Sequence, residues 1–205
     1  MRPAAVLFDL DNTLVDRDGA FARWISTLGL TPRQRTELLR RDDHGFADRE
    51  DVCAWLSMTK PELGRPQHVW QHMRSGVAER VRQYDEVIDA VDKVRSLARV
   101  AVVTNGGSEN QRTKLDRAGL TDMFDCVLIS AELGVRKPQR AMFEAALARL
   151  RVDASAALFV GDNPIEDIAG ASAAGLATCY VSRGGATIEA DLVVNSVVDL
   201  PEALA

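Results

Sequence analysis

The sequence predicts an α/β protein, a doubly wound parallel sheet interrupted early by an all-helical insertion. Three observations carry this expectation. Short apolar runs recur along the chain, and each stops abruptly in a polar turn. From about residue 85 onward these runs alternate with segments bearing helix-start signals. Between residues 16 and 84 the alternation lapses, and apolar residues recur only at helical spacing.

The first run, Ala4 to Phe8, is continuously apolar and ends in Asp9-Leu10-Asp11-Asn12. A strand buried on both faces reads this way, apolar throughout and polar only beyond its carboxyl end. Val100–Val103 stops at Thr104-Asn105-Gly106-Gly107, Cys126–Ile129 at Ser130, and Ala156–Val160 at Gly161-Asp162-Asn163-Pro164. Leu176–Val181 and Leu192–Val194 are further strand candidates. Ser108 with Gln111 reads as a capping box, and Pro138 suits a first helical position. Asn163, Pro164 and Glu166 fit the N-cap, first and third positions of another helix.

The insertion places Phe21, Trp24, Ile25 and Leu28 on one helical face, then Leu38 and Leu39. Val52, Trp55 and Leu56 follow, then Val69, Trp70, Met73 and Val77, with Pro32, Gly45, Pro61, Gly64 and Pro66 as breaks. The chain is therefore expected to divide into a Rossmann-like core of residues 1–15 and 85–205 and a helical cap of residues 16–84. In such sheets ligands bind beyond the carboxyl ends of the strands, where the strand order reverses. Every acidic or Thr-Asn turn named above falls at such an end.

Composition excludes several alternatives. The chain is 46% apolar and 27% charged, which suits a globular protein with an ordinary core. A formal charge of -5 opposes a nucleic-acid partner, which would usually demand a basic excess. Cys53, Cys126 and Cys179 are too scattered for a zinc site and fit free thiols in a reducing compartment. No apolar stretch approaches the ~18–20 residues that cross a bilayer, so no membrane partner is expected. Met1-Arg2-Pro3 leads straight into the first strand without a signal-peptide pattern, and a cytoplasmic location is expected.

The chemistry gathers at the strand ends. Asp9 and Asp11 stand two residues apart on one tight turn and can converge on a small volume, although aspartates there also commonly cap or solvate loops. Thr104-Asn105 precedes a helix N-terminus, where a hydroxyl, an amide and backbone N–H groups favour an anion; a plain turn has the same pattern. Lys137 before Pro138 would oppose a helix dipole, a cost that points to a nearby carboxylate or phosphate unless the side chain is simply solvated. Asp162 and Asp167 would bring further negative charge beside Asp9 and Asp11, tolerable where a divalent cation neutralises it. Phosphate monoesters need accelerations of up to ~10²¹-fold, far beyond the roughly 10²–10⁴ of acid–base catalysis alone. A covalent aspartyl-phosphate with metal, lysine and backbone donors supplies the missing parts.

Asp9-Leu10-Asp11-Asn12-Thr13, Thr104-Asn105-Gly106, Lys137-Pro138 and Gly161-Asp162 through Asp167 resemble, in order, the four motifs of the haloacid dehalogenase-like superfamily. The stretch from Thr104 to Leu150, with Gly175-Leu176-Ala177-Thr178, is similar to the branch of phosphoglycolate phosphatases and pyrimidine 5′-nucleotidases, which carry a helical cap after the first motif. The resemblance implies a Mg²⁺-dependent phosphatase acting on a small phosphate ester such as a nucleotide, sugar phosphate or phosphoglycolate-like metabolite. It implies that Asp9 is the nucleophile and a metal ligand, and that Asp11 is the general acid/base with its carbonyl on the metal. Thr104, with the backbone at Asn105 and Gly106, would hold phosphoryl oxygens, and Lys137 would bridge Asp9 and the phosphate. Asp162 would bind Mg²⁺, and Asp167 would serve its water shell. Asn12 replaces the commoner glycine and tolerates the left-handed backbone expected there.

A phosphomutase would keep the same core. A haloacid dehalogenase lacks the second aspartate of the first motif, so Asp11 opposes that reading. A non-catalytic binding module would not need the full set of Asp9, Asp11, Lys137 and Asp162. All three tryptophans and all three histidines, His44, His68 and His72, fall in the insertion. Helical spacing makes the tryptophans cap core rather than stacking platforms; the histidines read as solvated, although the Asp42–Phe46 loop is a candidate to face the site. Arg40 and Arg41 read as solvated, or as contacts for an anionic substrate.

Overall fold

A computed structural model describes residues 2–183 and 188–205. Its centre is a six-stranded sheet ordered β3-β2-β1-β4-β5-β6, every neighbouring pair parallel. The strands are β1 Ala5–Phe8, β2 Arg99–Thr104, β3 Cys126–Ile129, β4 Ala157–Gly161, β5 Ala177–Val181 and β6 Leu192–Val194. All six sequence-derived strands are present, within a residue or so of their expected ends. Strand order reverses at β1, which pairs with β2 on one side and β4 on the other. A crevice beyond the carboxyl ends of β1 and β4 is the ligand position this topology provides.

Burial follows from the apolar runs. Every residue of β1 and β4 is buried, as strands covered by helices on both faces must be. Leu7, Val103, Leu128 and Phe159 form one core cluster with Met142, Phe143, Ala146 and Leu150 of a helix described below. Phe143 meets Phe159 edge-on at 5.2 Å between ring centroids. Such a contact adds about 0.5–1.5 kcal/mol to the burial of the two rings.

Residues Asp16–Arg82 form a second compact unit, and residues 1–15 with 83–205 the first. The second unit is helical: α1 Arg17–Ser26, α2 Pro32–Asp42, α3 Arg49–Thr59 and α4 Pro66–Ala78. Its helices start on ordinary caps. Asp16 accepts from Gly19 N at 2.8 Å, and Thr31 and Gln34 form a reciprocal capping box before Pro32. Trp24 is buried and stacks on Phe21 at 5.7 Å, while Gly76 leaves room for it: a Cβ there would fall 2.3 Å from Trp24 Cδ1. Trp55 and Trp70 are only half-buried, each beneath an arginine, Arg41 and Arg49. His44, His68 and His72 are exposed, and His44 meets the Asp18 carboxylate at 2.5 Å.

The remaining helices belong to the first unit. They are α5 Val87–Arg95, α6 Ser108–Arg117, α7 Ser130–Leu133, α8 Arg140–Leu150, α9 Gly170–Ala173 and α10 Leu200–Leu204, with a π-helical turn, Pro164–Ala169, leading into α9. Two helix starts differ from the sequence reading. Gly107, not Ser108, caps α6, because the Ser108 hydroxyl turns to Glu132 and the Gln111 amide to tertiary partners. Helix α8 begins at Arg140 with Gln139 as its cap, so Pro138 precedes the helix, and its bond to Lys137 is cis. Asn163 does cap the π-helical turn, accepting from Ile165 N and Glu166 N at 2.9 Å each. The three cysteines are free thiols, and burial pushes Cys179 up to about 12. Among the described residues no helix is long and apolar enough to cross a membrane.

Candidate active site

The site begins where β1 runs out of apolar residues. Asp9 N donates to Val160 O of β4 at 2.9 Å, which fixes the first aspartate across the switch point. The chain then turns sharply: Asn12 adopts φ 60°, and Leu10 O accepts from Leu14 N at 3.0 Å and Val15 N at 3.1 Å. Asparagine enters this left-handed region more readily than most residues, so Asn12 does the work a glycine would.

Asp9, Asp162 and Asp167 are all buried, and one carboxylate oxygen from each lies within 4.8 Å of the others. Gly161 makes this approach possible, since a Cβ there would sit 2.3 Å from Asp167 Oδ2. Asn163 N donates to the same oxygen at 3.0 Å. Lys137 reaches into the cluster from the other side, its Nζ 2.6 Å from both Asp9 Oδ1 and Asp167 Oδ1. The lysine backbone is clamped by Asn105, whose Oδ1 accepts from Lys137 N at 2.9 Å and whose Nδ2 donates to Lys137 O at 3.0 Å. Asn105 Nδ2 also donates to Glu166 Oε2 at 2.7 Å.

Electrostatics follow from this crowding. Burial pushes the Asp9 carboxyl up to about 7; Lys137 opposes the rise, while Asp167 and Asp11 add to it. Burial raises Asp162 to about 8, reinforced by Asp9 and Asp167 and opposed by Arg183, whose Nη2 lies 2.7 Å from Asp162 Oδ2. For Lys137 burial pulls downward, but Asp167 and Asp9 outweigh it and hold the ammonium above the ordinary lysine value. Three carboxylates facing two cations leave excess negative charge in a buried space. Hard oxygen donors so arranged fit a divalent cation such as Mg²⁺ or Ca²⁺ better than a soft-ligand metal. The buried aspartate triad can hold a metal.

Asp11 is turned to a different set of partners. Lys114 Nζ lies 2.8 Å from its Oδ1 and 2.5 Å from its Oδ2, and Gln111 Nε2 donates to Oδ2 at 3.1 Å. The same Gln111 nitrogen donates to Thr104 Oγ1 at 2.6 Å. Gly106 N donates to Ser130 Oγ at 2.9 Å. The structure thus brings Asp9, Lys137, Asp162 and Asp167 together, with Asp167 inside the carboxylate cluster and the Asp11 side chain beside it. The Asn105 side chain is committed to the lysine loop and the Gly106 N–H to Ser130.

Read from sequence, Gln111 has only a capping role, and Lys114 and Arg183 have none. Gln111, Lys114 and Leu115 are the buried residues of α6. Two polar side chains in a buried i, i+3, i+4 stripe, where apolar residues belong, were the available signal. Arg183 offered none.

The chain is similar to known proteins over parts of its length. The chain is 41% identical over 96 residues to the pyrimidine 5′-nucleotidase YjjG of Escherichia coli, covering 46% of this chain and 43% of that protein. It is 32% identical over 130 residues to (S)-2-haloacid dehalogenase 2 of a Pseudomonas species, covering 60% of this chain and 56% of that one. The chain thus matches only about half the length of these two relatives. The fold superposes on a Bacillus subtilis hydrolase, YfnB, solved bound to magnesium, with TM-score 0.84, 24% identity, and coverage of 100% of this chain and 99% of that one. The haloacid dehalogenase-like hydrolase model matches residues 3–175, and the chain belongs to that family.

Proposed function

We propose that this hydrolase is a Mg²⁺-dependent phosphatase that transfers the phosphoryl group of a small phosphorylated metabolite to Asp9 and then to water. The observation that carries the reading is the division of labour between Asp9 and Asp11. Asp9 stands in the carboxylate cluster against Lys137, while Asp11, two residues on, is held outside the cluster by its own partners. This arrangement supports giving one carboxylate the attack and the other the proton. Displacement of halide from carbon has no leaving alkoxide to protonate, so the acid half of the Asp11 role would have no counterpart in a dehalogenase.

In this reading Asp9 attacks phosphorus through a carboxylate oxygen, and Lys137 offsets the charge gathered on the phosphoryl oxygens. Thr104 donates its hydroxyl to one of those oxygens. Asp11 protonates the departing alkoxide, then takes a proton from the water that hydrolyses the aspartyl-phosphate. Asp9, Asp162 and the Asp11 carbonyl would hold Mg²⁺, with Asp167 serving its water shell. The ion would supply Lewis-acid stabilisation of phosphoryl charge. The 16–84 insertion is assigned the choice of leaving group, as a cap. A nucleotidase among the curated relatives supports a phosphate ester as substrate. Phosphate release from a panel of phosphorylated metabolites, with 2-chloropropionate as the competing substrate class, tests the reading. Halide release without phosphate release would overturn it.

A further inference from the structure

Helix α6 presents two buried polar residues to the catalytic turn, and the reaction as drawn so far gives them no task. Lys114 is 5% exposed and Gln111 1% exposed. Ordering long polar side chains such as these costs up to about 1.5–2 kcal/mol each in rotamer entropy, besides their desolvation. Their partners make up for that: both Asp11 oxygens for Lys114, and Asp11 with Thr104 for Gln111. Gly106 clears the way, since a Cβ there would come within 2.9 Å of the Gln111 side chain at a backbone φ of +149°.

The chemistry of the groups fixes the sense of each hydrogen bond. When ionised, Asp11 only accepts, so Gln111 turns its NH₂, not its carbonyl, toward it; when Asp11 carries the proton for the leaving group, its unprotonated oxygen accepts the same N–H. Asn110 Nδ2, donating to Gln111 Oε1 at 3.2 Å, holds the same orientation. The other N–H of that amide then points at Thr104 Oγ1, which must accept. The Thr104 proton is left to be donated away from Gln111.

We propose that Gln111 and Lys114 are positioning residues, which fix the Asp11 carboxylate beside the nucleophile and orient the Thr104 hydroxyl as a donor to phosphate. The inference rests on the phosphatase reading and adds to it two residues acting through Asp11 and Thr104. Lys114 chiefly serves proton transfer, because its contacts are to Asp11. Gln111 also serves phosphate binding, because it sets the direction of Thr104.

The test compares wild type, Asp11→Asn, Lys114→Met and Gln111→Glu on an alkyl phosphate and on p-nitrophenyl phosphate. Inorganic phosphate serves as competitive inhibitor, and a melting curve is recorded for each variant. Lys114→Met is expected to lower kcat/KM, which covers the steps up to departure of the leaving group, by at least about tenfold on the alkyl ester and much less on the nitrophenyl ester. Gln111→Glu places an acceptor where a donor stood and is expected to weaken phosphate inhibition about tenfold. Should Lys114→Met not fold, Gln111→Met, which keeps length without the donors, is expected to show the same split between esters. Equal loss of kcat/KM on both esters with phosphate inhibition unchanged would mean that the two residues only support the fold, and would overturn the proposal. A leaving-group-dependent loss in Asp11→Asn but not in Lys114→Met would sink the positioning role alone. Absence of that dependence in Asp11→Asn itself would sink the phosphatase reading, and the positioning role with it.

Discussion

Lys137 and Asp9 lie 128 positions apart in sequence, yet Lys137 Nζ sits 2.6 Å from Asp9 Oδ1 with both side chains buried. The same nitrogen is 2.6 Å from Asp167, so one ammonium serves two carboxylates in a buried space. Removing one partner of a buried ion pair typically costs about 3–5 kcal/mol, because the remaining charge is stranded. Lys137→Met is therefore expected to destabilise the metal-free protein by about that much near pH 8. The loss should shrink toward pH 5, where Asp9, whose carboxyl burial already raises to about 7, can take up a proton. Urea unfolding at the two pH values measures it, and an equal loss at both would show that the ion pair is not the cause.

The raised carboxyls of Asp9 and Asp162 set a pH dependence of stability. Each starts from 3.8 and rises, to about 7 for Asp9 and about 8 for Asp162. Between these limits the folded chain holds protons that the unfolded chain has released, so stability falls as pH rises. The contribution is fully present below about pH 4 and is lost as pH passes through 7 and 8. Metal-free protein is expected to melt at lower temperature at pH 8.5 than at pH 6, and saturating Mg²⁺ should narrow the difference by favouring the ionised carboxylates. A melting temperature that rises over this interval in chelator would contradict the burial argument.

Metal removal gives a third expectation. Activity should vanish in excess chelator and return with Mg²⁺, and Asp162→Asn should weaken Mg²⁺ binding measured by calorimetry. Undiminished turnover after exhaustive chelation would remove the metal from the mechanism.

Much of this was legible in the chain because parallel strands buried on both faces must be continuously apolar. Ala5–Phe8 and Ala157–Val160 therefore announced themselves, and the aspartates at their ends stood out by contrast. Asn163 was legible as a cap because its partners, Ile165 N and Glu166 N, are local. Ser108 and Gln111 misled for the opposite reason. Their spacing fits a capping box, but Gln111 found Asp11, a hundred positions away, and Ser108 found Glu132. Lys137 was flagged by its supposed place against a helix dipole, whereas α8 starts only at Arg140. The carboxylates inferred from that cost are present, although the dipole is not their reason. The pairing of Asn105 with the Lys137 backbone depends on two distant loops, and no local pattern encodes it.

The central claim is that Asp9 carries the phosphoryl group and Asp11 moves the protons. Asp9→Asn should abolish turnover, since an amide is a poor nucleophile. Asp11→Asn should bind substrate but lose about 10²–10⁴ in rate, because proton transfer is missing from both steps. With a p-nitrophenyl ester the first step needs little protonation while the second still lacks its base, so phosphate should accumulate on the protein. Intact-protein mass spectrometry of Asp11→Asn quenched in acid during turnover is the most direct measurement. The expected result is a species heavier by one phosphoryl group, absent from the Asp9→Asn/Asp11→Asn double variant. An unshifted mass in Asp11→Asn, with turnover close to wild type, would contradict both assignments.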